Sequence, residues 1–311
     1  MADTRPVDLL AGRPALVVGG GRMGLAIAQI LAAAGIAVTV VEPNCATRET
    51  AAERLAQIFR LQGQPQARIA LVKVVADIRE APGDVAIAIE AAPESAELKR
   101  EIFRRLDEFC PADAIFATNT SVIPVHRIAA DVRDKSRVVG THFWNPPYAV
   151  RLVEVVRSEG TSEETMQRTI AIMAAVGQQP VRVNKDIPGF IGNRLQHALK
   201  REAIALVQAG VCDAQTVDTV VKSSFGARLG IMGPLEQSDL VGLNLTLAIH
   251  EVVLPDLDTS RAPQKLLVDL VAAGHTGVTA GQGFRSWTPE TRAELQTRLD
   301  RTLGGKKGTR S

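Results

Sequence analysis

The sequence predicts an α/β protein: a doubly wound sheet over residues 1–186, followed by an all-α C-terminal domain over residues 187–311. Three observations carry this reading. The chain has 311 residues, and at roughly 100–200 residues per domain that length suggests two domains. Up to about residue 184, short β-rich apolar runs alternate with helical stretches, the βαβα order of a parallel sheet. From Pro188 onward the apolar period is helical and no convincing strand appears.

Residues 14–19 (PALVVG) form a β-rich run that ends at glycines, residues 22–34 read as a helix, and residues 36–42 form a second strand closed by Pro43. The unit has the length that a right-handed βαβ crossover needs. A helix is expected at 47–61, strands at 70–75, 85–90, 114–118, 137–142, 151–156 and 180–184, and further helices at 94–108 and 122–130. The strands before 137 are continuous apolar runs, as in a sheet covered on both faces. Beyond them the helical period predicts helices at 188–209, 213–224, 234–250, 263–273 and 288–303. Pro188 suits a first helical turn, where a missing N–H costs nothing. The glycine-rich, basic tail GGKKGTRS is expected to fray. No internal repeat is found.

Composition excludes several classes. With 46% hydrophobic and 23% charged residues the chain resembles an ordinary soluble globular protein, not collagen, low-complexity disorder or a disulfide scaffold. Aromatics make up 4%, with one Tyr and two Trp, too few for a single-stranded nucleic-acid binder built on stacking. Net charge is +2, so no nucleic-acid partner is expected. Cys45, Cys110 and Cys212 are widely spaced and form neither CxxC nor a zinc pattern. No metal and a reducing cytoplasm are therefore expected. The start, MADTRPVDLLAGRP, reads as neither signal nor transit peptide. No apolar run reaches the roughly 18 residues of a membrane span. The expectation is a cytoplasmic protein whose partner is a small molecule.

Gly19-Gly20-Gly21-Arg22-Met23-Gly24 fits G-x-G-x-x-G between a strand and a helix, the context that gives this pattern meaning. Gly19 permits the tight turn, Gly21 lets a pyrophosphate approach the backbone, and Gly24 lets helix and strand pack closely. The helix start offers free N–H groups to the anion, with Met23 in its first turn. Glu42 ends the second strand, where an acid accepts from both ribose hydroxyls and repels a 2′-phosphate; the nearest Arg is Arg48. The cofactor expected is NAD rather than NADP.

Ser121, His142, Asn145 and Glu154 form a second constellation after the expected carboxyl ends of strands or on the next strand. Open α/β sheets bind ligands at those ends. Two neighbouring strands, parted by the Pro146-Pro147 break, bring Glu154 to the His142 ring if they pair. The carboxylate then fixes the tautomer and supports positive charge, which makes His142 a candidate general base near neutral pH. Taken singly, His142 also reads as structural, Glu154 as a polar strand position, and Ser121 as the N-cap of the helix at 122–130. His126, His197, His250 and His275 fall on expected helices or loops without metal spacing.

Together the stretches VVGGGRMGLAIA, IEAAPESAELKREIF, ATNTS, GTHFWNPP with LVEVV, DIPGFIGNR and GPLEQSDLVGLN resemble the 3-hydroxyacyl-CoA dehydrogenase family, in order, from about residue 14 to 287. The resemblance implies a Rossmann-type NAD-binding domain, a helical C-terminal domain that usually dimerises (so a homodimer), and NAD-dependent oxidation of a 3-hydroxyl group. It implies His142 as catalytic base with Glu154 as its partner, and Ser121 and Asn193 on the substrate oxygens. Asn145 would shape that pocket, and Glu94, Lys99 and Asn119 would line the nicotinamide side of the cofactor.

The substrate side departs from the acyl-CoA members, which serve fatty acid metabolism. Those typically carry a long, lysine-rich helical hairpin after the second strand that contacts CoA. Here residues 43–70 are short and contain Arg48, Arg54, Arg60 and Arg68 but no Lys. The run FGARLGIMGPLE is longer than in acyl-CoA members. It looks like the free-acid relatives, such as L-gulonate 3-dehydrogenase and its lambda-crystallin kin. Arg228 in that run is a candidate fork for a substrate carboxylate, and equally a helix-end or dimer-interface residue. The NTS and HFWNP spellings look closer to the acyl-CoA enzymes, and Thr279 and Arg285 replace a Lys and a Tyr common in the family's glycine motif. The reading leans to a small free 3-hydroxy acid. An L-3-hydroxyacyl-CoA (or acyl-carrier) thioester and a non-catalytic NAD(H)-binding role stay open.

Overall fold

The structure is a computed structural model and describes residues 5–304. Eight strands form one sheet: β1 (Ala15–Val18), β2 (Val38–Val41), β3 (Val72–Val75), β4 (Ile87–Glu90), β5 (Ile115–Thr118), β6 (Val138–Phe143), β7 (Leu152–Val156) and β8 (Gln179–Val183). Their order is β3-β2-β1-β4-β5-β6-β7-β8, parallel except where β7 runs antiparallel to β6. The short apolar runs are strands because both sheet faces are covered. Ala15 and Val17 enter one apolar core, while Leu16 and Val18 enter the other, as the two-residue period of a strand requires. Helices α2 (Arg22–Ala33), α3 (Cys45–Leu61) and α6 (Glu163–Ala175) supply the first core. Helices α4 (Ala96–Phe109) and α5 (Val125–Ile128) supply the second; the one-turn α1 (Pro6–Leu9) precedes β1. The strand order reverses between β1 and β4, which opens a crevice at their carboxyl ends.

The structure corrects several expected elements. Helix α6 is new. Its start is marked by Ser162, whose side chain accepts from the Thr165 N–H, and by Glu163 and Glu164 in the first turn. The helix expected at 122–130 shrinks to one turn because it begins only after Pro124. Helix α7 (Gly192–Gln208) begins four residues after Pro188, since Gly189 (φ +76°) and Phe190 (φ +48°) hold left-handed backbone. The helix expected at 234–250 is two, α10 (Pro234–Val241) and α11 (Leu243–Val253), parted by Gly242 at φ +95°. The remaining helices are α8 (Ala214–Ser223), α9 (Phe225–Arg228), α12 (Lys265–Ala272) and α13 (Pro289–Gly304). The rest of the tail, from residue 305, lies outside the described residues.

Contacts divide the chain into Met1–Arg194 and Leu195–Ser311. Residues 187–194 thus group with the sheet, beyond the expected seam at 186. The reason is local: the Ile191 and Gly192 N–H groups both donate to Glu154 on β7. Within the second unit, Gln208 caps the Leu266 N–H at 2.9 Å, and Arg285 bonds Asp218 at 3.2 Å. Among its described residues only Gly283 is buried, and Ile231 and Leu235 are 86% and 79% exposed.

Candidate active site

The glycine loop follows from steric demands. Gly19 has φ +110°, and a Cβ there would lie 2.6 Å from the Ala91 carbonyl oxygen. A Cβ on Gly24 would lie 1.8 Å from the carbonyl oxygen of Gly19, so only glycine lets α2 pack this close to β1. Gly21 is the N-cap of α2, with open space where its Cβ would be and no side-chain cap. The first-turn N–H groups of α2 are therefore free for an anion that can come up against the backbone. Glu42, just after β2, accepts the Gly20 N–H at 2.8 Å through Oε2 and the Asn44 N–H at 2.9 Å through Oε1. Each oxygen keeps a lone pair for a ribose hydroxyl. Arg54 donates to the Gly20 carbonyl at 3.3 Å, so both backbone polar groups of Gly20 are held. The open glycine cradle and the carboxylate beside it fit a dinucleotide.

The antiparallel pairing of β6 and β7 sets His142 opposite Glu154. Nδ1 of His142 stands 2.7 Å from Oε2 of Glu154, and both residues are buried. Oε1 of Glu154 accepts the N–H groups of Ile191 (2.9 Å) and Gly192 (3.1 Å). Burial works to raise the Glu154 pKa, but the bonds from His142, Gly192 and Ile191 outweigh it and hold the carboxyl below its ordinary value. A charged Glu154 only accepts, so Nδ1 of His142 carries hydrogen and Nε2 of the neutral ring has a lone pair. The rings of Trp144 and Phe190 flank the imidazole, with centroids 5.4 and 5.6 Å away.

His142 lines a cavity of about 530 Å³ together with Arg22, Met23, Asn119, Ser121, Trp144, Asn145 and Asn193. One sheet end thus gathers the first turn of α2, the loop after β5, the end of β6 with the connection that follows it, and the first turn of α7. Asn193 donates through Nδ2 to the Ser121 carbonyl at 3.0 Å, and Asn119 accepts the Phe143 N–H at 2.9 Å. Asn145 is exposed, and its bond to Pro146 is cis.

Ser121 is not a helix cap. The N-cap of α5 is Pro124, and it is the Thr120 hydroxyl that accepts the Ile123 N–H. Ser121 is held instead by Glu94, whose Oε1 accepts the Thr120 hydroxyl (2.5 Å) and the N–H groups of Ser121 (3.0 Å) and Val122 (3.2 Å). Burial raises the Glu94 pKa, but these bonds and the charge on Lys99 prevail and keep it low. Lys99 is buried and lies between Glu94 and Glu90, a residue that sequence reasoning missed. Arg228 lies in the second unit at the end of α9, exposed, its carbonyl accepting the N–H groups of Ile231 and Met232.

A glycine cradle at the switch point and a histidine–carboxylate pair at the same sheet end define a dehydrogenase that uses a nicotinamide dinucleotide on a CH–OH group. Comparison with known proteins agrees. The profile of the 3-hydroxyacyl-CoA dehydrogenase NAD-binding domain matches residues 15–187, and that of the family's C-terminal domain matches residues 189–287. A probable 3-hydroxybutyryl-CoA dehydrogenase of Bacillus subtilis is 36% identical over 285 residues, 89% of this chain and 98% of that protein. The 5-formyl-3-hydroxy-2-methylpyridine 4-carboxylate 5-dehydrogenase of Mesorhizobium japonicum is 30% identical over 292 residues, 92% of this chain and 94% of that protein. A crystal structure of a 5-formyl-3-hydroxy-2-methylpyridine 4-carboxylic acid 5-dehydrogenase, described as an NAD+-dependent dismutase, matches with TM-score 0.87 at 30% identity over 94% of this chain and 96% of that one. That of (S)-3-hydroxybutyryl-CoA dehydrogenase from Ralstonia eutropha matches with TM-score 0.72 at 30% identity, over 89% and 99%. The chain belongs to the 3-hydroxyacyl-CoA dehydrogenase family, and its cofactor is NAD.

Proposed function

We propose that this NAD-dependent dehydrogenase oxidises a hydroxyl β to the carboxyl group of a small free acid, with His142 as the general base. The observation that carries the reading is the 2.7 Å bond from His142 Nδ1 to a buried carboxylate, on a cavity that also holds Ser121 and Asn193. Bound on the glycine loop, NAD supplies the hydride acceptor. His142 takes the hydroxyl proton through Nε2, and Glu154 supports the imidazolium that results. The Ser121 hydroxyl and the second amide hydrogen of Asn193 hold the substrate oxygen as it becomes a carbonyl. Asn145 shapes the same pocket. Met23 and Glu42 serve the cofactor with the loop glycines, and Asn119 faces its nicotinamide side, backed by Glu94 and Lys99.

Two features support a free acid. Between β2 and β3 stand one helix, α3, and a 3-10 turn over Gln66–Leu71, with no lysine to clamp a multiply charged CoA. Overall similarity to the solved pyridine-carboxylate enzyme is also high. In this reading Arg228 forks the substrate carboxylate. The B. subtilis relative and the HFWNP spelling favour the second reading, an L-3-hydroxyacyl-CoA. Mixing the enzyme and NAD with 3-hydroxybutyryl-CoA or with free 3-hydroxybutyrate and larger free 3-hydroxy acids, and following NADH absorbance, separates the two. Turnover of the thioester alone defeats the free-acid reading. Arg228→Ala is expected to raise KM for the free acid at least about tenfold, the scale of a lost charge-assisted bond; an unchanged KM removes Arg228 from the site.

The same reading makes the protein a homodimer. A unit of this size that buries no apolar side chain among its described residues, and exposes Ile231 and Leu235, needs a second surface. We also infer a cytoplasmic location, which the free cysteines support. Among the described residues no helix is long and apolar enough to cross a membrane.

A further inference from the structure

We propose that Glu90 is a positioning residue for this reaction: through two buried hydrogen-bond routes it sets where Ser121 stands. The inference rests on the reading of Ser121 as a substrate ligand. Glu90 is the last residue of β4 and has no exposed surface, so it touches neither substrate nor cofactor. Its Oε1 accepts the Lys99 ammonium at 2.7 Å and the Ala92 N–H at 2.6 Å. Its Oε2 accepts the Thr118 hydroxyl at 2.7 Å.

The first route runs through Lys99, itself only 1% exposed. Its ammonium also reaches the Ala92 carbonyl at 3.1 Å and Oε2 of Glu94 at 3.2 Å, so its three hydrogens have three acceptors. The other oxygen of Glu94 holds the Thr120 hydroxyl and the N–H groups of Ser121 and Val122. The second route runs through Thr118, whose hydroxyl oxygen accepts the Thr120 N–H at 3.2 Å. Both routes start at one carboxylate and end on the loop that carries Ser121.

Stability alone is a weak reason for such a cluster, since a buried ion pair often gains nothing over apolar residues of the same volume. What charge and direction supply is a fixed geometry. With Glu90 neutral, Lys99 loses its shorter carboxylate bond and is drawn toward Glu94. Glu94 then shares its charge differently with the loop, and the Ser121 N–H loses its fixed partner.

The test uses Glu90→Gln in the full chain. Hydrogen-exchange mass spectrometry should show the segment 118–124 exchanging at least about tenfold faster, the scale of one lost charge-assisted bond, while β6 and β7 stay unchanged. On whichever of 3-hydroxybutyryl-CoA or 3-hydroxybutyrate is turned over, kcat/KM should fall about tenfold or more with the Kd for NADH unchanged. In a Ser121→Ala background the same substitution should change kcat/KM less than about twofold, because coupled residues are non-additive. Unchanged exchange at 118–124, or an undiminished effect of Glu90→Gln in the Ser121→Ala background, overturns the proposal. If Ser121→Ala alone leaves kcat/KM intact, the substrate reading of Ser121 fails, and the exchange result still judges the positioning. Should Glu90→Gln not fold, the apolar pair Glu90→Leu with Lys99→Met replaces it. Fast exchange at 118–124 in that folded variant supports the proposal, and wild-type exchange overturns it.

Discussion

The base role proposed for His142 needs one ring nitrogen committed and the other free. The 2.7 Å contact with Glu154 commits Nδ1, and the flanking Trp144 and Phe190 rings limit where the imidazole can turn. His142→Ala is expected to lower kcat at least about 10²-fold while leaving NADH binding, followed by fluorescence titration, unchanged. Glu154 yields a prediction in pH. Its folded-state pKa lies below the ordinary 4.5. Its contribution to stability is thus fully present above about pH 4.5 and lost as pH falls through the lowered value. Melting temperatures measured from pH 6 to pH 3 should fall less steeply for Glu154→Gln than for the native protein. His142 and Glu154 were legible in the sequence because both sit on apolar strand runs beside a Pro-Pro break. Glu90 was not: in IAIEAAPE it looks like any acid at a strand end. Its burial comes from Lys99 nine residues later on α4 and Thr118 on β5, a tertiary fact with no local signal.

At the level of elements, spacing was most informative where sterics leave no choice. The β1–α2–β2 unit could be read from three glycines because each meets backbone or opens space that a side chain would close. Gly24→Ala would place a methyl group 1.8 Å from the Gly19 carbonyl oxygen and must move α2 or the loop. The expected result is a Kd for NADH raised at least about tenfold with the sheet intact by circular dichroism. Helix α6 escaped the apolar period because its buried positions include Thr165 and Thr169. Its capping serine and two following acids were the signal that could have found it. The break at Gly242 was hidden for the opposite reason, since apolar residues run on through both α10 and α11 and only the backbone angle parts them.

For the whole molecule, the contrast between the two units is the main fact. The sheet unit closes two apolar cores of its own, while the helical unit leaves many of its leucines and valines exposed, Leu235 and Val252 among them. Light scattering in solution is expected to give twice the 33.2 kDa chain mass; a monomer at micromolar concentration would defeat the dimer. An interface of the usual size for a stable complex, about 1,200–2,000 Å² or more, is what such a surface calls for. The α/β class and its helical second half could be read from the alternation of periods. What covers the exposed apolar side chains of the helical half could not, because periodicity reports which face is apolar and not what covers it.

The antiparallel register of β6 and β7 has a consequence for how this chain can change. His142 and Glu154 are matched by backbone pairing, so their distance does not depend on the eight residues, 144–151, that connect the two strands. Beyond Trp144, whose ring flanks the imidazole, that connection can lengthen, shorten or change composition while the His142–Glu154 pair is preserved. A slip of one residue inside either strand, by contrast, would turn His142 or Glu154 to the opposite face of the sheet. Evolution can therefore reshape the loop at this end of the sheet without disturbing the pair.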